Sequence, residues 1–266
     1  MKKVTVFVGS AHKRMTLDAV RRFVVDLEAL GGVEAETVTL SDYKMGICRG
    51  CRLCFDQGEE FCPMKDDRDA LIARLDSSDG VVLASPNYSF QVSALMKAFL
   101  DRLGFAFHRP RFFGKAFTSI VTQGIYGGEK IVKYLDFVGT GLGFNVVKGR
   151  CFTAFDPMTE AERRKRDAAL AKQSRRFHAS LMKALCPPPT LIKLMAFRMG
   201  RTSVRLELDE SRRDYTYYRD KGWFESGYFY PVRLGPVKKA VGRLFDSIQA
   251  RRTGKRLGRG SKSVGA

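Results

Sequence analysis

The chain has 266 residues, 44% of them hydrophobic and 28% charged, which excludes collagen-like repeats and wholesale disorder and allows one large domain or a domain with an appendage. Its formal net charge of +19 is unevenly placed: residues 1–150 carry 21 Lys/Arg against 17 Asp/Glu, and residues 151–266 carry 26 against 11, so a near-neutral domain followed by a basic extension is predicted, the extension facing something anionic. The apolar runs are too short to span a bilayer, and MKKVTVFVGS turns to glycine and charge too early for a signal peptide, so a cytoplasmic location is expected.

Along the first half, short apolar runs alternate with helix-period segments. Val4–Val8 reads as a strand covered on both faces, and Leu17, Val20, Phe23, Val24, Leu27 and Leu30 then recur at helical spacing until Gly31-Gly32 stops the helix. Further strands are predicted at 33–40, 79–84, 115–122 and 143–152, and helices at 66–77, 92–107, 129–138 and 159–185. Five such units in this order predict a doubly wound, five-stranded parallel sheet, because parallel neighbours need helical crossovers.

Ligands of such sheets bind beyond the carboxyl ends of the strands. The loop after the first strand, GSAHKRMT, offers hydroxyls, the cations Lys13 and Arg14 and free backbone N–H groups, the parts of a phosphate cradle. It lacks the Walker and dinucleotide glycine patterns, and a plain helix cap is the alternative reading. The loop after the third strand, Ser85 to Gln91, puts a tyrosine beside exposed amides, which suits a flat heterocycle, or is simply a Pro-Asn turn. The third loop, Thr122 to Gly128, is glycine-rich and allows close backbone approach to the same ligand.

Between the second strand and the second helix, ICRGCRLCFDQGEEFC places Cys48, Cys51, Cys54 and Cys62 at C-x2-C-x2-C-x7-C. In a reducing compartment four thiols this close read as ligands or redox groups rather than disulfides. Three ligands at i, i+3 and i+6 with a fourth further on resemble the spacing that wraps a cubane iron–sulfur cluster. Zinc favours two separated C-x2-C pairs, a Cys48–Cys51 dithiol leaves two cysteines unused, and cysteines that bind no metal are the plain alternative. Cys151 and Cys186 are isolated thiols.

After CPPPT (186–190) the chain becomes basic and aromatic. Residues 191–201 are amphipathic, and RDYTYYRDKGWFESGYFYPVRL concentrates aromatic rings, including Trp223. Residues 236–252 set Val237, Val241, Leu244, Phe245 and Ile248 against a largely basic opposite face, which suits an anionic membrane surface or packing on the core or on a second subunit. The tail 253–266 has a disordered composition. Nucleic acid is the weakest partner reading, since no recognised module accompanies the charge.

GSAHKRMT, the cysteine segment ending in KDD, and SPNYSFQVSALMKAFLDR resemble the flavodoxin-like NAD(P)H-dependent FMN reductases, and the cysteine spacing is most similar to their iron–sulfur flavoprotein branch. The resemblance covers about residues 1–155. It implies FMN, with its phosphate at Ser10, His12, Lys13, Met15 and Thr16 and its ring system against Pro86, Asn87, Tyr88, Ser89 and Phe90, the pocket being completed by Thr122, Gln123, Gly124 and Tyr126. It further implies a 4Fe-4S cluster on Cys48, Cys51, Cys54 and Cys62, with NAD(P)H or a reduced carrier as electron donor. The first loop departs from the family pattern by being one residue shorter, with His12 and Met15 where arginine and asparagine are usual.

The domains expected are a flavodoxin-like part at 1–185, an extension at 186–252 and a tail, in a homo-oligomer. The function expected is FMN-dependent electron transfer to an acceptor. The alternative is a flavodoxin-like binding protein without a cluster, docking on a membrane or partner through its extension.

Overall fold

A computed structural model describes residues 1–12, 14–183 and 185–260. The chain divides into two compact units, the first made of residues 1–50 and 64–185, the second of residues 51–63 together with the chain from 186 onward. The cysteine segment therefore parts company with the sheet after Gly50, although sequence alone placed the loop 48–62 inside the flavodoxin-like domain.

In the first unit, β1 (Lys2–Val8), β2 (Val33–Thr39), β3 (Gly80–Tyr88) and β5 (Ala116–Gln123) lie in the order β2-β1-β3-β5, all parallel. Beyond β5 run β6 (Asn145–Val146) and β7 (Arg150–Thr153), both parallel to it. The expected five-stranded parallel core is present. Its fifth strand, expected as one run over 143–152, is two short pieces. Gly149 between them presses so closely on Ser119 that a Cβ there would lie 1.9 Å from its Oγ, and its N–H is drawn away to the Asp136 carboxylate at 3.2 Å.

Helices cover both faces, as the two-sided burial of the strands requires. Val4, Val6 and Val8 point to the face covered by α1 (Met15–Glu28) and α7 (Glu160–Lys183), whose Leu17, Val20, Phe23, Leu170, Phe177 and Leu181 complete one core. The Phe23 and Phe177 rings meet at 5.9 Å. On the other face Phe7 stacks on Phe99 of α4 (Ala94–Arg102) at 5.0 Å. Phe23 is fully buried, so truncating it to Ala would cost about 3–5 kcal/mol.

Three further expectations shift. The third strand runs on to Tyr88 and folds back as β4 (Gln91–Val92), pairing Asn87 with Val92 and Tyr88 with Gln91. The helix expected over 92–107 is two, α4 and α5 (Gly104–His108), because Ser93 caps the first by accepting from Met96 N and the chain turns at Leu103. The helix expected from 66 begins at Arg68 (α3, Arg68–Ser77), since the Asp66 and Asp67 carboxylates are committed to backbone amides across the loop. The remaining crossover helix is α6 (Gly128–Leu142).

The second unit holds α2 (Leu53–Asp56), a 3-10 turn at Glu59–Phe61, α8 (Leu191–Glu207), α9 (Arg213–Asp220) and α10 (Pro236–Gly260). Its core is aromatic: Phe197, Trp223 and Phe229 pack edge to face, with Phe197 and Phe229 centroids 4.5 Å apart, and Trp223 Nε1 donates to the Phe229 carbonyl at 2.9 Å. An ion pair at 2.8 Å from Arg212, at the start of α9, to Asp56 of α2 joins the cysteine segment to this unit.

α10 also differs from expectation. It continues through residues 253–260, where composition predicted disorder, because Thr253 is buried and donates to Glu207 on α8. Residues 261–266 lie outside the described residues. No described helix is long and apolar enough to cross a membrane.

Candidate active site

The carboxyl ends of the central strands are level: Val8 pairs with both Thr39 and Ala84, and Pro86 with Thr122. That register brings the loops after β1, β3 and β5 to one edge of the sheet. Gly9 N donates to Ala84 O at 2.8 Å, and Ser93 Oγ donates to Gly9 O. A Cβ on Gly9 would sit 2.7 Å from Met96 Cβ, so only glycine lets the first loop lie this close to α4.

Between these loops lies a cleft of about 390 Å³ lined by Ser10, His12, Met15, Thr16, Pro86, Asn87, Tyr88, Thr122, Gln123 and Gly124, all expected from sequence, and by Arg14 and Ala154. At one end α1 begins with Arg14 as its N-cap, and the Arg14 side chain makes no hydrogen bond to the first turn. An N-terminus not capped by its own side chain, flanked by the buried Ser10 hydroxyl and the Arg14 guanidinium, has the chemistry of an anion site. Behind it the Thr16 and Thr122 hydroxyls hydrogen-bond at 2.7 Å, tying the start of α1 to the end of β5.

The other end is built from β3 and the glycine loop. Asn87 Nδ2 donates to Tyr126 O at 2.9 Å, while Asn87 Oδ1 is buried and accepts no hydrogen bond among the described residues. Gln123 Oε1 accepts from Gly128 N at 2.7 Å and so shapes the turn into α6. Ser89 and Phe90 do not line the cleft. They form the tip of the β3–β4 hairpin, at φ of 50° and 63°, the left-handed pair that a two-residue turn requires and that non-glycine residues adopt at a cost. Phe90 meets the Tyr126 ring at 5.2 Å, and at Gly127 (φ 94°) a Cβ would lie 2.7 Å from Phe90, so hairpin and glycine loop are packed together at the cleft's rim.

Lys13, expected at the phosphate end, lies outside the described residues. Arg14 was legible as a cation of the same loop. Ala154 carried no sequence signal; it is placed by its N–H, which donates to Gln123 O at 2.9 Å.

Of the four loop cysteines, Cys48 and Cys51 are exposed and Cys54 and Cys62 half-buried. Among the described residues no three His, Cys, Asp or Glu side chains converge as a metal site. Within the first unit Cys48 lies in electrostatic range of Lys97 on α4. Both ends of the loop are anchored there: Lys44 N donates to Asp67 and Gly46 N to Asp66, at 2.6 and 2.9 Å. Cys151, on β7, is different in kind, since burial, aided by Glu129, pushes its thiol up to about 11.

Residues 2–155 match the family described as NADPH-dependent FMN reductase, and the chain belongs to that family. It is 38% identical over 128 residues to an iron–sulfur flavoprotein of Archaeoglobus fulgidus, covering 44% of this chain and 57% of that one. It is 33% identical over 100 residues to an iron–sulfur flavoprotein of Methanocaldococcus jannaschii, covering 38% and 51%. The chain thus spans little more than half the length of these two relatives. Among solved structures it is similar to RosB with bound 8-demethyl-8-formylriboflavin-5′-phosphate, at TM-score 0.56 and 13% identity over 89% of this chain and 92% of that one. It is also similar to an azoreductase of Bacillus anthracis, at TM-score 0.52 and 14% identity over 66% and 100%. At these identities the two structures speak for the fold.

Proposed function

We propose that this protein is an FMN-dependent oxidoreductase that takes electrons from NAD(P)H or a reduced carrier and passes them to an acceptor. The observation that supports the reading is the cleft itself, with a helix start that lacks a side-chain cap at one end and a rim of planar and amide groups at the other, in a chain of the FMN reductase family. The flavin, when bound, supplies the redox chemistry, so no acid–base side chain is required of the protein.

The protein's own groups bind and orient. Ser10, the first-turn amides of α1 and Arg14 hold the phosphate. Lys13 belongs to the same loop. Thr16 and Thr122 brace the helix start through their shared hydrogen bond. Pro86, Asn87 and Tyr88 with Thr122, Gln123 and Gly124 flank the ring system, and the buried Asn87 Oδ1 offers an acceptor to a ring N–H. The Phe90–Tyr126 contact packs the hairpin tip on the glycine loop at the cleft's rim.

The Cys48–Cys62 segment is proposed to receive a 4Fe-4S cluster. The spacing C-x2-C-x2-C-x7-C and the names of the relatives support this. Iron and acid-labile sulfide measured on anaerobically purified protein test it: both present and both lost in Cys51→Ser is the expected result, and zinc or no metal contradicts it. The flavin reading is tested by comparing FMN with riboflavin. FMN should bind the more tightly, and Arg14→Glu should weaken FMN while leaving riboflavin unchanged. Equal affinity for the two ligands sinks the assignment of the phosphate end.

A further inference from the structure

The helix α10 is turned the unusual way round. Gly242, Asp246, Gln249, Thr253 and Arg256 recur at spacings of four and three and so form one line along it. That line faces α8 through polar groups. Asp246 accepts from Arg198, from Arg201 at 2.8 Å and from Thr202 at 3.0 Å; Gln249 donates to Ser203 at 2.7 Å; Thr253 and Arg256 both reach Glu207. A helix that docks on its neighbour by hydrogen bonds and ion pairs leaves its apolar side elsewhere.

That side is a second line, Val237, Val241, Leu244 and Ile248, continued at the same spacing by Arg251, Arg252 and Lys255. Its centre lies about 130° around the helix from that of the first, at 100° per residue. Val237 is 71% exposed and Leu244 57%, and Arg251, Arg252 and Lys255 are all exposed. Lys238 Nζ donates to Pro189 O at 2.8 Å, which sets the start of α10 beside the start of α8, where Leu191 and Ile192 are also exposed. The apolar groups thus gather at one end of the helix pair and the cations continue the face at the other. α10 carries eight Lys/Arg and a single acidic residue, Asp246, which is already neutralised by Arg198 and Arg201.

We propose that this face docks on an anionic lipid bilayer, with Val237, Leu244 and the neighbouring Leu191 and Ile192 entering the interface and Arg251, Arg252 and Lys255 resting on acidic headgroups. Charge complementarity selects the occupant: a second copy of the chain would bring like charges together along the line, whereas an acidic bilayer meets both halves of the face. The proposal does not depend on the redox reading.

The test is co-sedimentation of the full chain with vesicles of phosphatidylcholine alone or mixed with phosphatidylglycerol, with solution molar mass and bound flavin followed in parallel. Wild type should sediment with the anionic vesicles only and be released by about 0.5 M salt. Val237→Glu with Leu244→Glu, and separately Arg251→Glu with Arg252→Glu, should lower partitioning at least about tenfold, with flavin content and molar mass unchanged. No sedimentation with anionic vesicles at low salt overturns the proposal, as does undiminished sedimentation of the Val237/Leu244 variant. A fall in molar mass in that variant also overturns it, because the face would then belong to a second copy.

Discussion

The Arg102 guanidinium and the Asp66 carboxylate form a two-pronged ion pair, Nη1 to Oδ2 at 2.6 Å and Nη2 to Oδ1 at 3.0 Å, with side chains only 2% and 11% exposed. Asp66 also accepts from the amides of Gly46 and Arg68, and Arg102 donates to Gly46 O at 3.0 Å. One helix of the sheet domain thereby closes the neck of the excursion that carries the cysteines.

Removing one partner of such a pair strands the other charge away from water, at a cost of about 3 kcal/mol. Arg102→Met is therefore expected to lower the unfolding free energy by that amount, read as a lower denaturant midpoint with the slope unchanged. It should also open residues 47–65 to limited proteolysis before the rest of the chain.

The same pair gives stability a dependence on acid. Burial alone would raise the Asp66 carboxyl, but hydrogen bonds from Arg102, Gly46 and Arg68 outweigh it and hold the group below its ordinary 3.8. A carboxyl lowered on folding stabilises the protein above its unfolded value, and the contribution is lost as pH falls through 3.8 towards the folded value. The difference in unfolding free energy between wild type and Asp66→Asn should thus be constant above about pH 5 and shrink below about pH 4.

Much of the fold was legible because strands buried on both faces read as plain apolar runs, and the three loops followed from their order. What was not legible is mostly tertiary. Asp66 and Arg102 are 36 residues apart, and nothing local pairs them. The pressure of Ser119 on Gly149 splits the fifth strand without changing its hydrophobic pattern. Ser89-Phe90 lacks the Asn-Gly chemistry by which a two-residue hairpin is usually recognised. The arginine- and glycine-rich end of α10 is tied to α8 by Thr253 and Arg256, which both reach Glu207.

At the hairpin tip, Ser89 holds φ 50° without being glycine. Ser89→Gly relieves that conformation and should stabilise the protein by about 0.5–1 kcal/mol, read as a raised Tm. If the mutation lowers Tm, the left-handed turn is contradicted.

The cysteines should separate by reactivity. With its thiol pushed up to about 11, Cys151 should stay unalkylated at neutral pH under conditions that label the exposed Cys48 and Cys51, as peptide mass mapping reads directly. Its rate should rise about tenfold per pH unit until the thiol titrates.

The anion end of the cleft predicts its own signature. The Ser10 hydroxyl donates to the His12 carbonyl at 2.9 Å; if it turns to the phosphate in the proposed complex, Ser10→Ala removes one donor to a charged ligand, worth about 1.5–3 kcal/mol, and FMN affinity should fall by roughly tenfold or more. Riboflavin affinity, measured by quenching of flavin fluorescence, should not move.

The central claim, that the cleft between the three loops holds FMN for redox turnover, is tested most directly by the visible spectrum of the anaerobically purified protein before and after addition of NADPH. The expected result is a yellow protein with one FMN per chain whose flavin absorption bleaches on reduction. A colourless protein that takes up no FMN when it is supplied would contradict it.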